Sequence, residues 1–239
     1  MANGARLALT WYGHSCVELR TPGGKTVLID PWFANPRSPK AAAAVDRCDL
    51  MLVTHGHFDH FGDALPIASR TKPVWPCMHE LSLWLSRNYA HKDTLIGMNK
   101  GGTVEVEGIR VTMVHADHSS GDIYAGAEAP IYLGEPVGLV IQLENGQKLF
   151  FAGDTELFGD LRLIGERYRP DIAFLPIGGH YTMDPAGAAK AVEMLGVRQV
   201  VPMHYGTFPV LTGTPERLKA LVDPLGIDVL VLKPGETAS

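Results

Sequence analysis

The segment His55-Gly56-His57-Phe58-Asp59-His60 constrains this chain more than any other, because four of its six residues are potential metal ligands. Directly before it, residues 50–54 form a near-continuous apolar run, the pattern of a strand buried on both faces. The polar cluster is therefore expected at the C-terminal end of a buried strand, where a tight loop turns several side chains inward. A plain surface turn would not need imidazoles at this density, whereas a metal site does.

Around this segment the chain reads as alternating short strands and helices. Residues 7–12, 16–19 and 26–29 carry strand patterning, the last after a Gly23-Gly24 turn, and predict antiparallel pairing. Helical spacing is expected over 63–69 and 80–87, then strands over 103–106 and 109–114 joined at Glu107-Gly108. From 137 the expected order is strand 137–143, a turn at Asn145-Gly146, strand 148–152, helix 156–168 and strand 172–177. Helix 185–195, strand 199–203, helix 215–222 and strand 229–232 complete it.

Two β-rich halves, each closing with helices, predict an α/β fold: a four-layer αββα sandwich of two mixed β-sheets with helices on the outer faces. At 239 residues a single domain over 1–239 is expected. Residues 119–136 are weakly patterned, with Gly121, Gly126 and Gly134, and read as a substrate lid beside the polar cluster.

The formal net charge of -5, without any basic block, excludes non-specific nucleic-acid binding. No stretch approaches ~20 uninterrupted apolar residues and the start lacks a charged head with an apolar run, so neither membrane span nor signal peptide is expected. Cys16, Cys48 and Cys77 are odd in number and show no paired short spacing. They predict buried hydrophobes rather than a disulfide framework or a zinc knuckle, and a cytoplasmic protein. The expected partner is a small-molecule substrate, with a homo-oligomer left open.

The motif resembles the His-x-His-x-Asp-His signature of the metallo-β-lactamase superfamily, and further landmarks follow in order along nearly the whole chain. They are Asp30 in Leu28-Ile29-Asp30-Pro31, His118 in Ala116-Asp117-His118-Ser119-Ser120, Asp154 in Gly153-Asp154-Thr155, and His204. The resemblance implies the metallo-β-lactamase fold and two divalent metal ions, zinc foremost with manganese or iron as alternatives. It implies that His55, His57 and His118 hold the first metal, that Asp59, His60 and His204 hold the second, and that Asp154 bridges them. A hydroxide bridging both metals would be the nucleophile, with Asp59 orienting it or taking its proton. His115 competes with His118 for the third position; the His-Ser-Ser context favours His118. Asp30 would position a ligand or the His loop through hydrogen bonds.

Several segments are similar to a branch of bacterial and archaeal metal-dependent hydrolases related to L-ascorbate-6-phosphate lactonase and N-acyl-phosphatidylethanolamine phospholipase D. These are Gly13-His14-Ser15, Ile29-Asp30-Pro31-Trp32, Pro176-Ile177-Gly178-Gly179-His180-Tyr181-Thr182-Met183 and Pro202-Met203-His204-Tyr205-Gly206-Thr207-Phe208-Pro209. His14 and His180 fall outside the ligand pattern. Each is expected either to serve the substrate, with His180 as a catalytic proton donor alongside Asp59, or to be a hydrogen-bonded structural residue.

Departures from other relatives exclude functions. Lactam-hydrolysing enzymes of the superfamily carry a Cys where Asp154 stands, glyoxalase II adds a C-terminal helical domain that the 35 residues after His204 cannot supply, and the nuclease branches carry an insert too long for this chain. Trp32, Phe33, Tyr132, Tyr181, Tyr205 and Phe208 are the expected pocket aromatics, Tyr205 and Phe208 first among them. The leading expectation is a hydrolase of a small ester, lactone or phosphodiester. The alternatives are a redox enzyme on the same fold, or a non-catalytic metal-binding protein.

Overall fold

Three short apolar segments open the structure as an antiparallel meander: β1 (Ala8–Trp11), β2 (Val17–Arg20) and β3 (Thr26–Ile29). β4 (Leu50–Leu52) joins β3 in parallel, and every residue of β3 and β4 is buried, as a strand covered on both faces requires. The computed structural model describes residues 6–124 and 126–239.

After β4 the chain enters α1 (Phe58–Phe61), a single turn carrying the second half of the His-rich motif, and then α2 (Ala64–Thr71). β5 (Trp75–Met78), α3 (His79–Asn88) and β6 (Leu95–Met98) follow, with β5 and β6 paired in parallel as a small separate sheet.

β7 (Thr103–Val106), β8 (Ile109–His115), β9 (Val137–Gln142) and β10 (Lys148–Phe151) pair antiparallel in sequence order. The second half switches to parallel crossovers through α4 (Leu161–Tyr168), β11 (Ile172–Pro176), α5 (Pro185–Leu195), β12 (Gln199–Met203), α6 (Pro215–Val222) and β13 (Asp228–Val229). β14 (Thr237–Ala238) returns to the edge of β1.

The result is a five-stranded sheet in the order β14-β1-β2-β3-β4 and a seven-stranded sheet in the order β13-β12-β11-β10-β9-β8-β7. Both sheets are mixed, and with the helices they make the expected four-layer α/β sandwich. One continuous apolar cluster joins them: Trp11, Leu19, Leu28 and Ile29 from the first sheet and Phe150, Phe151 and Phe174 from the second are fully buried. The α5 boundaries follow from local chemistry. The Asp184 side chain accepts from the Gly187 amide at 2.8 Å, Pro185 occupies the first turn, and Gly196 leaves the helix at φ 67°.

Four expectations change. The helix expected over 156–168 begins only at Leu161, because the preceding residues are held elsewhere: Glu156 N donates to Asp117 O (3.0 Å) and Asp117 N to the Thr155 hydroxyl (2.9 Å). The strand expected over 229–232 is the two-residue β13. β5, β6, β14 and the α1 turn are additional elements.

The 119–136 segment is a strap rather than a lid. Gly56 N donates to the Ser120 hydroxyl (3.1 Å), Phe58 N to Asp122 Oδ2 (3.0 Å), and the Tyr124 hydroxyl to Gly56 O. Asp122 and Ile131 form a bridge across the segment, and a Cβ on Gly56 would stand 2.8 Å from Leu133 Cδ1. The strap therefore lies against the motif, and a larger residue at position 56 would have to displace the Leu133 side chain.

Candidate metal centre

Every prospective ligand stands just past the C-terminal end of a strand. His55 to His60 follow β4, His118 follows β8, Asp154 follows β10 and His204 follows β12. One of these prospective ligands and three residues of neighbouring turns have unusual backbone. His14, Asp30, His180 and His204 have φ of 53°, 46°, 58° and 56°, a left-handed region that non-glycine side chains seldom adopt and that collects at functional sites.

The side chains converge in overlapping groups. His55, His57 and His118 offer ligand atoms all within 4.8 Å of one another; so do His14, Asp59, His60 and His204, and so do His55, His60 and Asp154. Asp154 lies between the first two groups. Its Oδ2 is 3.6 Å from His118 Nε2 and 2.9 Å from His204 Nε2, while its Oδ1 is 3.3 Å from His60 Nε2.

Of the two competing histidines, His118 stands in the cluster. His115 is exposed and meets Phe158 edge-on at 4.8 Å. His180 is exposed too, its ring 4.4 Å from that of Tyr181 and outside the residues lining the central cavity.

Two buried residues orient this set. Asp30 accepts from Thr54 N (2.8 Å), the Thr54 hydroxyl (2.8 Å) and His60 Nδ1 (2.7 Å), so that His60 presents Nε2 to the centre. His14 lies between Asp59 Oδ2 (3.0 Å from Nε2) and the Thr207 hydroxyl (2.6 Å from Nδ1). Both ring nitrogens of His14 are thereby occupied. It holds the Asp59 carboxylate in a hydrogen bond.

Buried polar atoms are normally partnered. Four of the seven buried side-chain polar atoms without a hydrogen-bond partner among the described residues are His60 Nε2, Asp154 Oδ1 and both ring nitrogens of His204. Nε2 of His60 and of His204 lie close to Asp154 but are not aligned on it as donors. Unpartnered nitrogens and an oxygen at one point are what a cation with imidazole and carboxylate ligands would satisfy, and this donor set suits zinc, manganese or iron.

Protonation follows from burial and charge. Burial lowers the pKa values of His55, His57 and His118, favouring the neutral imidazole that binds metal. Burial likewise takes His14 down to about 4. For Asp59 burial acts upward, but the His14 hydrogen bond and the His60 charge outweigh it, to about 2.

His60 is opposed by burial yet held well above the usual histidine range by Asp154 and Asp30, while burial pushes Asp30 up. In the metal-free chain His60 therefore holds its proton between Asp30 and Asp154. A metal bound at His60 Nε2 would have to displace that proton. Metal affinity is therefore expected to rise with pH toward the raised His60 value, with a proton released on binding. Calorimetric titration in buffers of different ionisation enthalpy measures it; pH-independent affinity without proton release would refute it.

A cavity of about 460 Å³ opens over the centre, lined by His57, Asp59, His118, Asp154 and His204 together with Phe58, Ser119, Asp122, Tyr181 and Phe208. Tyr205, expected here, is instead buried and stacked on Trp11 at 5.2 Å, and Phe33 packs against Tyr12 in the core. Phe58 and Asp122 were not singled out from sequence. The position of Phe58 between two ligands was the available signal, whereas nothing local marks Asp122.

Residues 25–205 match the family described as the β-lactamase superfamily domain. The chain is 47% identical over 234 residues to a UPF0173 metal-dependent hydrolase of Koribacter versatilis, covering 98% of each. It is also 47% identical over 239 residues to one of Rubrobacter xylanophilus, covering 99% of this chain and 97% of the other. Among solved structures, Igni18, a metallo hydrolase from the archaeon Ignicoccus hospitalis, matches with TM-score 0.86 at 37% identity, covering 97% of both chains.

Proposed function

The chain belongs to the β-lactamase superfamily domain family, and from that membership we propose that it is a dinuclear metal-dependent hydrolase of a small ester, lactone or phosphodiester. The position of the Asp154 carboxylate, within reach of both histidine groups, carries this reading. His55, His57 and His118 would hold one cation and Asp59, His60 and His204 the other, with Asp154 shared. Zinc is the first candidate, and two such cations would supply an acidified water and a polarised substrate oxygen.

The chain's own residues prepare the rest. Asp59 is fixed through Oδ2 by His14, and Oδ1 carries no hydrogen bond from the described residues, so it can orient a water in the cavity or accept its proton. Tyr181 and Phe208 line the same cavity. The three cysteines are buried and unpaired, which supports a reducing compartment and a place in the cytoplasm. No described helix is long and apolar enough to cross a membrane.

Metal analysis of the purified protein, followed by an ester, lactone and phosphodiester panel before and after stripping, tests the proposal. Two ions per chain and a turnover that vanishes on stripping and returns on reloading are expected. A single ion at saturation would overturn the dinuclear part, and turnover indifferent to stripping the whole. His180→Ala belongs to the same experiment: general acid catalysis contributes about 10²-fold or more, and the exposed position of His180 predicts a loss below tenfold.

A further inference from the structure

Resting on the hydrolase reading above, we infer that the substrate carries, beyond its scissile group, an uncharged aromatic or apolar substituent seated against Phe58, Phe208 and Tyr181, and that a second anionic group at that position is rejected.

Large apolar side chains lining a cavity and left open to solvent mark a ligand surface. Phe58 is 49% exposed and Tyr181 54% exposed, and both line the cavity over the metal centre. The exposure of Phe58 is built in, since its amide is tied to Asp122 and its ring is braced from behind. Buried Trp32 stacks on Phe208 at 5.8 Å and meets Phe58 edge-on at 5.5 Å, with Phe58 and Phe208 6.5 Å apart. These rings form a preorganised aromatic wall directly beside His57 and Asp59.

The charge of the lining decides the rest. It contains Asp59, Asp122 and Asp154 and no lysine or arginine. Asp59 and Asp154 belong to the metal centre, which would meet the scissile group. Asp122 does not: it lines the cavity while its Oδ2 accepts from Phe58 N (3.0 Å) and its Oδ1 from Ile123 N (2.7 Å). A phosphate or carboxylate on the substrate's tail would give up its hydration without gaining a cationic partner, beside a like charge. Sites built for such anions supply arginine, lysine or a helix N-terminus, and this wall supplies none of suitable length.

Three methyl esters that share a scissile bond and a minimal leaving group separate the possibilities: methyl 3-phenylpropanoate, monomethyl glutarate and methyl acetate. With the metal-loaded protein, kcat/KM for the phenyl ester is expected to exceed each of the others at least roughly tenfold. Phe58→Ala and Phe208→Ala should shrink that advantage by raising KM, and Asp122→Asn should narrow the gap to the glutarate. Calorimetric binding of 3-phenylpropanamide, which gives a readout without turnover, should weaken in the same phenylalanine variants.

Equal or better use of monomethyl glutarate, or an undiminished phenyl preference in both phenylalanine variants, would overturn the inference. So would absence of amide binding. Amide binding that responds to Phe58→Ala and Phe208→Ala without turnover of any ester, lactone or phosphodiester would instead count against the hydrolase reading and leave this one standing.

Discussion

Asp154→Ala is expected to remove turnover by on the order of 10³-fold or more and to lower the metal content below two ions per chain. Among the described residues Asp154 is the one carboxylate within reach of both histidine groups, at 3.6 Å from His118, 2.9 Å from His204 and 3.3 Å from His60. Burial acts to raise its pKa, and the charges of His204 and His60 override that and hold it well below the usual carboxylate range. It is therefore an anion at any working pH. Alanine removes the proposed shared ligand and also leaves the proton on His60 facing only Asp30, so the metal-free variant should lose stability as well.

Asp154→Asn separates the two effects. It keeps the volume and one oxygen but not the charge, so the fold should survive while the second ion is lost. Elemental analysis and turnover on the same samples check both. Two bound ions and activity within tenfold of the parent in either variant would remove Asp154 from the centre.

What could be read from the chain divides along physical lines. The prospective ligands were legible because they sit in short loops after apolar strands, where residue type and local spacing are visible together. The support for those ligands was only partly so. Asp30 sits two residues before Trp32 in a strand-ending turn and was accessible as a positioning group, but the Thr207-His14-Asp59 chain joins residues 193 and 45 positions apart, and no local pattern encodes such a contact.

Similar reasons explain the fold's surprises. Pro76 lies inside β5, and proline argues against a strand in sequence although this short pair tolerates it. Tyr205 and Phe208 are equally aromatic, but the left-handed turns at His204 (φ 56°) and Gly206 (φ 68°) send the first into the core against Trp11 and leave the second at the cavity. The strap reads as a lid from composition because its ties to Gly56 and Phe58 come from backbone amides, which carry no residue signature.

The second large effect belongs to a residue that would touch neither metal nor substrate. Asp30 is fully buried and satisfies three donors at once, Thr54 N, the Thr54 hydroxyl and His60 Nδ1. Asp30→Ala leaves Thr54 N and His60 Nδ1 without an acceptor and the Thr54 hydroxyl with only His55 Nδ1 (3.0 Å), at about 1–3 kcal/mol for each stranded group and about 3–5 kcal/mol for breaking a buried pair outright. For a chain of this size that corresponds to a fall in Tm of roughly 6 to 20 °C. Freed of its anchor, the His60 ring can turn Nε2 away, so metal affinity should fall a further ~10 to 100-fold. Position 30 also has φ 46°, which alanine tolerates poorly and asparagine well. Asp30→Asn thus removes the charge without the backbone strain. It should recover much of the thermal stability, yet still bind metal more weakly, since an amide supports the His60 proton less well than a carboxylate does. Thermal unfolding of the stripped proteins, paired with metal titration of each, distinguishes these contributions. Parent-like Tm and affinity in Asp30→Ala would show that the His60 orientation is set elsewhere.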